Sequence, residues 1–94
     1  MISMETALAV TKARLNRLPD DTALDEYLMA RISAAVDELT GIGISLTEST
    51  DDLMLVVDTA VYEYQSRDKP GGMPDWLRLR RRERWLREHR GDQS

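Results

Sequence analysis

Apolar residues recur at helical spacing through four stretches of this chain, separated by proline, glycine and short polar breaks. In the first stretch Met4, Leu8, Thr11, Leu15 and Leu18 share one face, with Ala7 beside them. The spacing predicts a helix from about Met4 to Arg17, capped by Ser3. Pro19 closes it, because proline pushes its predecessor out of the helical region. The second stretch predicts a helix from about Ala23 to Thr40, with Leu24, Leu28, Ile32, Ala35, Val36 and Leu39 as its apolar stripe. Asp21 or Thr22 is the expected cap and Gly41 the expected left-handed residue past the end, with Ile42 folding back onto Val36. From Ile42 to Thr50 apolar and small residues alternate over a run too short to build a sheet alone. That piece reads as an ordered loop pinning apolar side chains to the core.

The third stretch predicts a helix from about Asp51 to Ser66, capped by Ser49 or Thr50. Leu53, Val56, Val57, Ala60, Val61 and Tyr64 share its main face, while Leu55 and Tyr62 lie nearly opposite. A helix apolar on two sides is either central in its bundle or covered from outside. Pro70, Gly71, Gly72 and Pro74 then interrupt the pattern as a hinge or tight reversal. A fourth helix follows from about Asp75 to His89, and Gly91 to Ser94 reads as a frayed end. The expected fold is all-α, a small four-helix bundle. Residues 1–68 form a three-helix body, and 69–94 form the hinge and a basic C-terminal helix of the same domain.

Composition sharpens this picture in two ways. A chain of 94 residues has a modest core, so support from partner subunits is a natural expectation. Charge is unevenly spread: Leu18 to Asp68 holds twelve acids against two bases, whereas Lys69 to Ser94 holds eight bases against four acids. Such a polarised molecule suits head-to-tail association with its own copies, docking of the tail on an acidic partner, or folding of the tail onto its own body. No apolar run approaches membrane-spanning length, and the first ten residues lack the basic and apolar regions of a signal peptide. Cytoplasmic synthesis is the expectation.

The last helix is the most informative segment. Trp76, Leu79 and Leu86 share a narrow face with Leu77 to one side, and Trp85 falls roughly opposite, flanked by Arg78, Arg81 and Arg82. The pairs Glu83–Arg87 and Arg84–Glu88, and the preference for positive charge at a helix C-terminus, explain part of the arginine content. They leave Trp85 in its arginine field unexplained. Tryptophan and arginine are enriched at binding hot spots, so Trp76, Arg78, Arg81, Arg82, Trp85 and Arg87 are the candidate docking residues. Phosphate gripping and base stacking are open to the same side chains, but a sequence pI near 4.9 speaks against a dedicated nucleic-acid domain.

Candidate chemistry is sparse. There is no cysteine, and the single histidine, His89, sits at a helix end without a nucleophile and orienting acid in view. Asp20-Asp21 and Asp51-Asp52 open helices, where carboxylates cap and suit the dipole, and neither has calcium-loop spacing. Gly41-x-Gly43 follows a helix rather than a strand, so it is no dinucleotide fingerprint. The expectation is no enzyme, no cofactor and no metal.

The order of these features resembles a known family. A first helix closes on Leu18-Pro19-Asp20-Asp21, a second ends Asp37-Glu38-Leu39-Thr40-Gly41, and a third ends Tyr62-Glu63-Tyr64 before Arg67 and Asp68. Across Leu15 to Asp68 the chain resembles the head–tail connector (adaptor, or head-completion) proteins of long-tailed bacteriophages and prophages. That resemblance implies a structural virion protein of the neck, made in the host cytoplasm. Its helices would build a ring of about a dozen copies below the portal that extends the DNA channel. The implied partners are other copies, the portal and the next neck (stopper) protein, with DNA passing through the channel without specific binding. Leu55 and Tyr62 become candidate subunit-interface residues and the last helix the portal-docking element. Family members commonly end in a shorter, less basic segment, so Pro70 to Arg90 departs from the pattern. Two other readings compete. One is a small nucleic-acid-binding or regulatory helical protein using the same arginine helix. The other is a bundle whose arginine helix completes its own core.

Overall fold

A computed structural model describes residues 2–66 and 72–90. It contains α1 (Met4–Arg14), α2 (Asp25–Gly41), α3 (Thr50–Ser66) and α4 (Asp75–His89). The fold is all-α, and no helix among the described residues is long and apolar enough to cross a membrane. Pro70 and Gly71 of the expected hinge, and the expected frayed end at Gly91 to Ser94, lie outside the described residues. Gly72 and Met73 lead into Pro74, which stands at the N-cap of α4 with φ −58° and ψ 146°.

The central element is α3. Every residue from Leu55 to Val61 is buried, so the helix is enclosed on all sides rather than along one stripe. Helices α1, α2 and α4 all pack on it, and α1 also packs on α2. Ile32 and Leu39 of α2 cluster with Val56 and Val57 of α3, Ile44 from the loop and Leu77 from α4, all essentially inaccessible. Burying each such side chain contributes roughly 1.5–3 kcal/mol relative to leaving it in water. Leu55 is 2% exposed within the single chain, so the expectation that a neighbouring subunit covers it is corrected: it is buried in the chain's own core, beside Arg80 and Arg84 of α4. Tyr62 is half-buried against the same core.

Two helix ends differ from expectation, for one physical reason. Each closes in a Schellman motif that places a left-handed residue where the side chain permits it. Helix α1 stops at Arg14 because Asn16 takes φ 60°, and the Arg17 N–H returns to the Lys12 carbonyl at 2.8 Å. The helix therefore ends before Leu18, which is 68% exposed rather than part of the apolar face. In α2 the left-handed position falls on Gly43 (φ 102°), and Gly41 remains helical. The Ile44 N–H bonds the Leu39 carbonyl at 3.1 Å, so Ile44 is the residue that folds back onto the core while Ile42 is 45% exposed. At the other end of α2, Asp21 accepts the Ala23 N–H instead of capping the helix, whose N-cap is Leu24. Ser49 caps α3 as expected, its hydroxyl accepting the Asp52 N–H at 3.2 Å.

Candidate docking site on the arginine helix

Helix α4 contributes one fully buried residue, Leu77, and is otherwise held by polar groups. Its inward face carries Arg80, Arg81 and Arg84 onto three separate body carboxylates. Arg80 reaches Asp58, which also receives Arg14 of α1. Arg81 lies 3.3 Å from Glu38 of α2 and donates to the Met73 sulfur at 3.1 Å. Arg84 grips Asp52 through both carboxylate oxygens, at 2.7 and 3.2 Å, and donates to the Ser45 carbonyl at 2.8 Å. In the last turn Glu88 accepts the Ser45 N–H at 3.0 Å, and His89 Nε2 sits 2.8 Å from the Gly43 carbonyl, which makes that nitrogen the donor.

Asp52 is the anchor of this arrangement. Burial alone would raise its pKa. Hydrogen bonds from Arg84 and from the Thr47 N–H and hydroxyl outweigh burial, and hold the carboxyl below its ordinary value. The same contact raises the Arg84 guanidinium. The Ser45 N–H lowers Glu88. Beside the Arg81 contact the balance reverses: burial first, then the facing Glu38 carboxylate, raise Glu63 despite Arg31 and Arg81 nearby.

Trp85 lies at the edge of the core, half-buried, with its indole stacked on the His89 ring at 4.2 Å between centroids. A Cβ on Gly43 would stand 3.0 Å from the indole nitrogen, so the glycine that ends α2 is also the floor on which Trp85 rests.

Four of the six candidate docking residues converge. Arg78, Arg81, Arg82 and Trp85 line one open groove of about 360 Å³, together with Ile42. Its floor is the apolar pair Ile42 and Trp85, and its walls are guanidinium groups. Trp76 and Arg87 lie elsewhere. Trp76 stands on the outward face of α4 with Leu79 and Leu86. Arg87 borders a separate cleft with Asp51, Glu83 and Arg90. The leucine face of α4 is therefore the outward one, and the Trp85 side is the one that meets the body. Sequence reasoning missed Ile42 as a groove residue and missed Asp52, Asp58 and Ser45 as partners of the helix. A usable signal existed: Leu77, Arg80, Arg81 and Arg84 recur at helical spacing, and the acids that answer them are in α2 and α3. Among the described residues, no group of three or more metal-ligating side chains gathers.

No family model, no curated protein and no solved structure matches the chain.

Proposed function

We propose that this chain is a non-catalytic assembly protein, a head–tail connector of the tailed-phage type that forms a ring below the portal and joins head to tail. The observation that supports it best is the groove of Ile42 and Trp85 between Arg78, Arg81 and Arg82. It pairs an apolar floor with charge that answers carboxylates, and it is carried on a helix clamped by Arg80, Arg81 and Arg84. A preorganised surface of this kind loses little entropy on docking, which favours a protein partner with an acidic projection. In the connector reading that partner is the portal, the remaining partners are further copies and the next neck protein, and the site of action is the virion neck. The order of motifs from Leu15 to Asp68 supports the family reading, and the groove supports the contact.

The nucleic-acid reading is weaker on this geometry. Three of the seven arginines between Asp75 and Arg90 are turned inward onto carboxylates, which leaves less positive charge for phosphates. The test is association with a tailed-phage portal protein from the same genome, followed by light scattering. Arg78→Glu with Arg82→Glu reverses the groove walls without touching the helix clamp and should abolish the complex. Unchanged association of that variant would remove the groove from the account. Salt-dependent binding of DNA in place of the portal would favour the other class.

A further inference from the structure

We infer that the outward ridge of α4, formed by Trp76, Leu79 and Leu86, is the contact by which one copy of this chain seats on the outer face of α2 of the next copy. The inference rests on the assembly reading above and deepens it by naming the subunit contact, which shares only Arg82 with the Trp85 groove. Isolated exposed apolar residues are ordinary, but these three stand in line on one helix face and are 50%, 56% and 37% exposed. Arg82 and Arg87, both exposed, border the ridge on its two sides. Glu83 interrupts it, and Asp75 is already taken by Arg78.

Charge names the occupant. The body from Leu18 to Asp68 carries twelve acids against two bases, and its exposed α2 face presents Glu26 and Asp37. Arg31, the single base within α2, is directed at Glu63 and Tyr27, off that face. Between the two acids the exposed residues are Ala30, Ser33 and Ala34, so a helix bearing bulky side chains can approach closely. The two surfaces differ and lie on different helices, so the contact is heterologous. Repetition then yields a ring or an open filament rather than a symmetric pair.

Cysteine cross-linking tests this directly, because the chain has no cysteine of its own. Leu79→Cys and Ala34→Cys both sit at exposed positions, so folding is not in question. Mixed at about 1 mM, which populates weak contacts, and oxidised, the two variants should give a covalent heterodimer. The double variant should give a ladder. Arg87→Glu should suppress the product, and adding Asp37→Arg on the partner should restore it. A preference for Leu79→Cys homodimers would overturn the inference. So would no more product than a control pair of Leu79→Cys with Thr6→Cys. Portal binding without the heterodimer sinks this contact and spares the connector reading. A ladder without portal binding does the reverse.

Discussion

Asp52→Asn isolates the polar clamp on α4. Asp52 is 1% exposed and accepts from Arg84 at 2.7 and 3.2 Å and from the Thr47 N–H and hydroxyl at 2.7 and 2.8 Å. The amide keeps the shape but removes the charge, and turns one acceptor into a donor facing a guanidinium. Removing one partner of a buried ion pair costs roughly 3–5 kcal/mol. The Arg84 side chain is 11% exposed, so some water reaches it and the lower end applies, about 3 kcal/mol. A domain of this size has roughly 5–14 kcal/mol of stability, so the loss is large, a fall of roughly 12–24 °C in Tm. Urea unfolding followed by circular dichroism and by tryptophan emission measures it, since Trp85 reports α4 directly. The pH dependence adds a second check. The folded-state pKa of Asp52 lies below its ordinary value, so its contribution is complete at neutral pH and is lost as pH falls through the folded pKa. The variant should lack that part of the acid decline. A loss under about 1 kcal/mol, the range of exposed salt bridges, would refute the claim that Asp52 anchors the helix.

Other outcomes follow from the same contacts. Glu63→Gln should stabilise the protein at pH 7: burial and Glu38 raise its folded pKa, so the ionised form is a cost that the amide removes. That gain should vanish as the pH falls below the carboxylate range of the unfolded chain, and a destabilised variant at pH 7 would count against the reading. Gly43→Ala should cost about 1–2 kcal/mol for the left-handed backbone alone and more from the indole it meets. Unperturbed Trp85 emission in that variant would show that the contact is not made. Arg78→Glu with Arg82→Glu should leave urea stability within about 0.5 kcal/mol of the parent, as exposed substitutions do, while removing partner binding.

Much of the fold was readable because helical periodicity and breakers agree. Helix α4 begins and ends at Asp75 and His89, as its spacing predicts, and the two-faced pattern of α3 corresponds to a helix enclosed on all sides. The errors lay where a left-handed residue can be placed at more than one position. Asn16 ended α1 before the proline was reached, and Gly43 rather than Gly41 ended α2. The candidate site was legible as a cluster but not in orientation. The apolar spacing of α4 did not decide which face turns inward; buried carboxylates at Asp52 and Asp58 draw the arginine face inward and leave Trp76, Leu79 and Leu86 outside. Pairing between residues 22 to 43 positions apart leaves no periodic trace in one sequence.

The central claim is that this chain assembles on a portal. Native mass measurement of the chain mixed with a tailed-phage portal protein from the same genome tests that most directly. The account predicts a complex heavier than the portal ring by a uniform, multi-copy complement of about 10.8 kDa units, and its loss with Arg78→Glu and Arg82→Glu. A portal ring that gains no mass, or gains the same mass from the variant, would contradict it.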